Sequence, residues 1–268
     1  MITSVSNPQV KRIIRLNQNK KARREEGLFT AEGLKMFFEA PADQIEKVYI
    51  SEELSENEKI LEKIAENDLL SETVSGQVFT KMSDTRTPQG VLTLLRKKEW
   101  KESDILDRKS PCIVILEDLQ DPGNAGTIIR TAEGAGIAGI FLTKGSVDVW
   151  SPKVIRSTMG SIYRVPVISD ADLSEVFIKL RERGIRSLAA HLKGKADYDR
   201  ADLSGGTAFL IGNEANGLSE EAAEAADLLV RIPMEGKVES LNAAMAAGIL
   251  MYEAARQRRT KGVTKWAL

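Results

Sequence analysis

The sequence is poor in the residues that build small catalytic and metal centres: of 268 residues, one is cysteine, Cys112, and one is histidine, His191. A disulfide within the chain is excluded, and so is a zinc site of cysteines and histidines. Serine–histidine or cysteine–histidine catalysis would have to use His191. That residue sits in SLAAHLKGK, at the expected end of a strand, and no G-x-S-x-G elbow accompanies it. His191 therefore reads as a structural or surface residue, and Cys112, inside an apolar run, as a buried inert thiol. No apolar run approaches the roughly 20 residues of a membrane helix. The opening MITSVSNPQVKRIIR lacks the apolar stretch of a secretory signal. The expectation is a cytoplasmic protein with no membrane part. A Walker A sequence is also missing.

An excess of charge of one sign is missing too, since the net charge is -1, so the chain as a whole is not a basic nucleic-acid binder. The distribution is uneven. Lys11, Arg12, Arg15, Lys20, Lys21, Arg23 and Arg24 gather near the start, and Arg256, Arg258, Arg259, Lys261 and Lys265 near the end. Local basic segments of this kind attract phosphate even in a neutral protein. They also fit solvated helix faces.

What is present is an alternation of short apolar strands with helical stretches. Residues 1–97 read as a small α/β domain preceded by a basic helix or arm. KVYI (47–50) and GVLTLLRK (90–97) are its clearest strands, and SENEKILEKIAEN (55–67) an amphipathic helix. Residues 98–110 are highly charged and read as a linker ending before Pro111. Residues 111–268 form a second domain. It opens with CIVILEDL, a nearly continuous apolar run suited to a parallel strand buried on both faces. Alternating strands and helices follow, which predicts a parallel sheet covered by helices.

A literal G-x-G-x-x-G occurs at Gly134, Gly136 and Gly139. A dinucleotide fingerprint would follow a strand and open a helix. These glycines follow a helix and precede a strand, so helix termination explains them better.

Three segments carry more. In LEDLQDPGNAGTIIRTAEGAG (116–136) a buried strand stops at Asp121-Pro122-Gly123, Asn124 suits a helix cap, and Arg130 lies within the following helix. In FLIGNEANGLS (209–219) a strand runs into a polar, glycine-rich loop with Gly212, Glu214 and Gly217. Glycine there permits close approach of a ligand to backbone. In IPMEGKVESLNAAMAAGILMYEA (232–254) a loop from Pro233 ends at Ser240-Leu241-Asn242 before an alanine-rich helix. Open α/β sheets bind ligands at loops of this type, beyond the carboxyl ends of the strands.

These segments resemble the three signature motifs of the SpoU/TrmH family of RNA 2′-O-ribose methyltransferases: N-x-G-x-x-x-R, G-x-E-x-x-G-L and I-P-M-x-G-x-x-x-S-L-N. Each alone is weak, but in this order on one domain they are specific. LFTAEG (28–33) and TPQGVL (87–92) are similar to the L30e-like substrate-binding module found in that family. Together the two likenesses cover most of the chain.

The resemblance implies an α/β fold whose second domain contains a deep trefoil knot, and a homodimer with its active site near the subunit interface. It implies S-adenosylmethionine as cofactor and no metal. Gly212, Ile232 and Leu241 would contact the cofactor, largely through backbone groups, with Leu210, Met234, Ser240 and Asn242 lining the same site. Arg130 matches the family's catalytic arginine. An unperturbed guanidinium keeps its proton, so holding the target phosphate and orienting the ribose is the role expected of it. Asn124 and Glu214 would position Arg130 or the substrate, and Ser240 and Asn242 the cofactor or ribose. The expected acceptor is structured RNA, ribosomal RNA before transfer RNA. A non-catalytic RNA-binding protein that has kept the fold is the alternative.

Overall fold

The structure, a computed structural model, describes residues 1–262. The chain forms two compact units, one of Met1–Glu99 with Asp148–Tyr163, the other of Trp100–Val147 with the chain from Arg164 onward.

The first unit begins with α1 (Pro8–Gln18) and α2 (Lys20–Glu26). Asn7 caps α1 with its side chain and Pro8 opens it, while Asn19 separates the helices and caps α2. Val10, Ile13 and Leu16 are buried along one face of α1. The strands β1 (Leu28–Glu32), β2 (Ile45–Ser51), β3 (Ser71–Val74) and β4 (Val91–Arg96) form a sheet in the order β1-β4-β2-β3. Its first two pairings are antiparallel and the last is parallel. Helices α3 (Leu34–Glu39), α4 (Glu58–Glu66) and α5 (Gly76–Met82) join the strands.

Of the expected basic helix or arm, the structure shows helix: α1 and α2 pack into this unit, and part of their charge is paired within it. Arg12 and Arg15 pair with Glu26, and Arg23 is buried against Asp148. Of the C-terminal basic segment, Lys265 lies outside the described residues.

The expected linker also contains structure. Helix α6 (Ser103–Leu106) buries Ile105 and Leu106 in the core of the second unit. From there the chain runs through β5 (Cys112–Leu116), α7 (Pro122–Ala135) and β6 (Gly139–Thr143). Residues Asp148–Tyr163, with α8 (Pro152–Thr158), belong to the first unit. The second unit is therefore discontinuous in sequence. It resumes with β7 (Val167–Ala171), α9 (Leu173–Glu182), β8 (Arg186–Ala190), β9 (Ala196–Asp197), β10 (Thr207–Ile211), α10 (Glu220–Ala225), β11 (Leu228–Arg231) and α11 (Ala243–Thr260).

These seven strands form one sheet, order β7-β6-β5-β10-β8-β11-β9, and every pairing is parallel. Every residue of the central pair β5 and β10 is buried, as their unbroken apolar runs predict. The winding reverses between these two strands, so their carboxyl ends open the crevice where such sheets take ligands. Gly136 ends α7 in a left-handed conformation, φ 69°, which accounts for the G-x-G-x-x-G spacing as helix termination. Cys112 is fully buried, and burial pushes its thiol up to about 11, so it stays protonated at neutral pH. No helix among the described residues is long and apolar enough to cross a membrane.

Candidate active site

The loops beyond β5 and β10 are bolted to each other. Glu117, just past β5, accepts hydrogen bonds from the Ser219 amide at 2.8 Å and the Ser219 hydroxyl at 2.6 Å. Asn213, just past β10, donates through Nδ2 to the Asp118 carbonyl at 2.8 Å. Two backbone hydrogen bonds between Asn213 and Gly217 close the β10 loop on itself. Gly217 sits at φ 71°, where a side chain would be strained. A Cβ on Gly212 would overlap the Gly217 carbonyl carbon and the Leu218 nitrogen, so at Gly212 one backbone runs bare against another.

Glu214, Asn124 and Asn242, one from each motif, form a single polar chain. Glu214 Oε1 accepts from Asn124 Nδ2 at 2.9 Å and from the Asp121 amide at 2.9 Å, while Oε2 accepts from the Gln120 amide at 3.0 Å. Asn124 Oδ1 in turn accepts from Asn242 Nδ2 at 2.9 Å. Asn242 Oδ1 is left for the open amides of α11, accepting from Ala244 at 2.9 Å and Met245 at 3.3 Å. The direction of the chain has a physical origin. An ionised carboxylate only accepts, so Asn124 must turn its NH2 to Glu214 and its oxygen to Asn242. Partial burial pushes the Glu214 carboxyl up, but the hydrogen bonds from Asn124, Gln120 and Asp121 outweigh it and hold it below the ordinary glutamate range.

Beside this chain lies a cavity of about 470 Å³. Of the expected cofactor residues, Gly212, Ile232, Met234, Ser240 and Leu241 line it, together with Glu214. Leu210 does not. It is fully buried in the core with Phe177, Leu180 and Ala222, because the pleat of β10 turns its side chain into the face covered by helices. Asn242 and Asn124 stand outside the lining and act on Glu214 and on each other. Arg130 is exposed on α7 and is not one of the residues that line the cavity. Helix α7 packs along α11, where Gly134 meets the Tyr252 hydroxyl and Thr131 faces Gly248.

The model of the SpoU rRNA Methylase family matches residues 111–252, and that of the MRM3-like substrate binding domain matches residues 7–93. The chain belongs to the SpoU rRNA methylase family. An uncharacterized tRNA/rRNA methyltransferase of Synechocystis is 34% identical over 96% of this chain and 94% of its own length. The 23S rRNA (guanosine(2553)-2′-O)-methyltransferase RlmP of Bacillus subtilis is 31% identical over 94% of this chain and 97% of its own. Among solved structures, the AdoMet-bound rRNA methyltransferase of Sinorhizobium meliloti superposes with a TM-score of 0.84 at 35% identity, covering 95% of this chain and 97% of that one. As a member of this family the chain is an S-adenosylmethionine-dependent RNA methyltransferase.

The cavity fits that cofactor on its own terms. Its volume lies in the range that encloses a nucleoside-sized ligand. Ile211, Ile232, Met234 and Leu241 supply apolar walls for a purine and an aliphatic chain. No hydrogen bond among the described residues engages 233–241. The polar backbone groups of this loop thus remain for a ligand or water.

The sequence reading missed residues on the strand next door. Ala190, His191, Leu192 and Lys193 also line the cavity. His191 follows β8 and its Nδ1 accepts the Lys193 amide at 3.1 Å. The signal was available, since these residues lie just beyond the carboxyl end of a central parallel strand, as the other loops do.

Proposed function

We propose that this protein methylates a ribose 2′-hydroxyl of ribosomal RNA in the cytoplasm. It would act as a homodimer whose second domain, residues 111–268, carries a deep trefoil knot. The observation that carries the reading is the polar chain Asn242–Asn124–Glu214, which ties all three motifs together beside the cavity. Likeness to an AdoMet-bound rRNA methyltransferase over nearly the whole chain supports the reading of the fold. The first domain, residues 1–97 and joined through 98–110, recognises RNA shape, including the 2′-hydroxyls.

Gly212, Ile232 and Leu241 hold the cofactor, with Met234 and Ser240 beside them. Bound there, S-adenosylmethionine supplies a methyl carbon already activated by its sulfonium charge. No metal is then required, and chelators leave the rate unchanged. Arg130 grips the target phosphate with its planar guanidinium and orients the ribose oxygen. Asn124 and Glu214 hold the start of α7 in place, and with it the helix that carries Arg130.

The test is transfer of labelled methyl from the cofactor to 23S ribosomal RNA, followed by digestion to nucleosides. The expected product is a 2′-O-methylnucleoside, and Arg130→Ala lowers its rate by roughly a hundredfold while cofactor affinity is kept. Base methylation would overturn the ribose assignment, and full activity of Arg130→Ala the role of the arginine. Transfer RNA is the second substrate to try, since the Synechocystis relative is named for both RNAs. Sedimentation at micromolar concentration tests the dimer, and a strict monomer contradicts it.

A further inference from the structure

The first unit concentrates unneutralised positive charge at one place. Lys20 and Arg24 are one helical turn apart on α2 and exposed. Between them Arg23 turns inward and is 4% exposed. Its Nε and Nη2 both donate to Asp148 Oδ2, at 2.9 and 2.6 Å. The other oxygen, Oδ1, accepts the Trp150 amide at 3.1 Å. The ammonium of Lys97 stands over the Trp150 ring, 5.6 Å from its centroid. The Lys97 amide closes the group by donating to the Gly27 carbonyl, where α2 ends, at 2.8 Å. Four cations thus gather around one carboxylate, and that carboxylate is already engaged by Arg23. Burial lowers the Lys97 pKa. Asp148 opposes this, and the nearby charges of Arg23, Arg24 and Lys20 lower it further. A half-buried lysine beside Lys20, Arg23 and Arg24 marks a place where an anion would be attracted.

The contrast with the rest of the basic segment is instructive. Arg12 and Arg15 are held by Glu26, and Lys21 faces Glu25 at 3.7 Å. The carboxylates of this region serve those partners, and the face bearing Lys20, Arg24 and Lys97 is left in excess.

We infer that Lys20, Arg24 and Lys97 form a binding surface for the phosphodiester backbone of RNA, set on the Arg23–Asp148 pair and Trp150. The inference rests on reading the chain as an RNA-modifying enzyme and names where its first unit grips that RNA. The Trp150 ring is covered by Lys97 and packs on Phe29, centroids 4.9 Å apart, so this surface reads phosphates and not bases. It supplies affinity that is indifferent to sequence and strongly dependent on salt.

The experiment measures binding of full-length protein to a 23S ribosomal RNA transcript as a function of salt. The variant Lys20→Gln, Arg24→Gln, Lys97→Gln is compared with a control, Lys35→Gln, Lys59→Gln, Lys81→Gln, which removes three exposed lysines of α3, α4 and α5. Loss of three phosphate contacts reduces the slope of log affinity against log salt by about 2 to 3. The control leaves the slope within about half a unit of the parent. An unchanged slope in the first variant overturns the inference, and so does an equal loss in the control. Saturable binding of inorganic phosphate alone would make this a small-anion site and overturn the RNA assignment. Methyl transfer and cofactor binding are read on the same samples. Protein that transfers no methyl but keeps the salt slope dependent on these residues loses the proposed function and keeps this surface. Thermal unfolding of the first variant, unchanged from the parent, shows that the loss is not misfolding.

Discussion

Asn242 Nδ2 donates to Asn124 Oδ1 at 2.9 Å, joining residues 118 positions apart in sequence. The bond exists in that sense because Glu214, at the far end of the chain, accepts only. One carboxylate therefore orients two amides and, through the second, the cap of the longest described helix. Anything that changes the charge of Glu214 is felt at all three loops.

The first consequence is a pH dependence. Hydrogen bonds hold the folded Glu214 carboxyl below its ordinary value, against the opposing effect of burial. A depressed carboxyl contributes stability that is present above the unfolded pKa of about 4.3 and lost as pH falls through the folded value. Cofactor affinity is expected to hold from neutrality down through the ordinary glutamate value of about 4.3 and to fall only below it. Glu214→Gln can keep one acceptor oxygen but not two, so its affinity is lower at pH 7 and flatter below about pH 4. Calorimetric titration from pH 7 down to about pH 3, below the ordinary glutamate value, decides. A parent and a variant with identical pH profiles would remove Glu214 from this role.

The second concerns Gly212. An added methyl would overlap the backbone of Gly217 and Leu218, which has no soft side chain to move aside. Gly212→Ala is expected to cost about 1–3 kcal/mol or more, as overpacking does, and to displace the loop that floors the cavity. Gly205→Ala, where a Cβ meets open space, serves as control and stays within about 0.5 kcal/mol of the parent. Denaturant melts of the two variants, together with cofactor titration, check both statements. Normal cofactor binding by Gly212→Ala would show that the two backbones separate easily.

Local chemistry was legible from sequence where it is local. The stop at Asp121-Pro122-Gly123 and the helix that follows are legible, but the cap is Asp121 and not Asn124: Asp121 accepts the Asn124 amide at 2.7 Å, and α7 already begins at Pro122. The buried runs of β5 and β10 announce a parallel sheet because no other environment takes five apolar residues in succession so readily. What failed was non-local. Leu210 lies inside β10, where its side chain packs in the core, whereas Gly212 lies just past the strand end, where the loop opens on the cavity. The basic start of the chain reads as helix or arm from sequence alone, and only Glu26 and Asp148, the latter 125 positions away from Arg23, show which of its charges are paired. His191 reads as structural or surface because its own neighbours say nothing about the cavity whose wall it joins beside β10 and β11. The functional assignment came from motif order, and the bonds among Asn124, Glu214 and Asn242 supply its physical reason.

The third prediction tests the Arg23–Asp148 pair. Both side chains are nearly inaccessible, with 5% and 13% of their surfaces exposed. Removing the carboxylate strands a buried guanidinium with only the carbonyls of Leu16 and Asn17 for partners. Asp148→Ala is expected to destabilise by about 3–5 kcal/mol. Replacing both by apolar residues, Arg23→Met with Asp148→Leu, removes the stranded charge and should recover most of that loss. Chemical denaturation of the two variants measures the difference. Equal destabilisation would mean that packing and not charge dominates at this position.

The fourth separates the two jobs of Asn242. Its Oδ1 caps α11, and its Nδ2 donates to Asn124. Asn242→Asp keeps a capping oxygen and places negative charge at a helix start, which favours stability. It loses the donor, however, and sets a carboxylate against Asn124 Oδ1. Asn124 must then either bear that repulsion or flip, and a flip turns its oxygen toward Glu214. Helix stability is therefore expected to be retained while methyl transfer falls about tenfold or more, the worth of one well-placed hydrogen bond. Asn242→Ala loses both functions and about 1 kcal/mol of stability besides. Thermal melts and single-turnover transfer on the same two variants separate cap from chain. A fully active Asn242→Asp would show that the amide chain does not align the site.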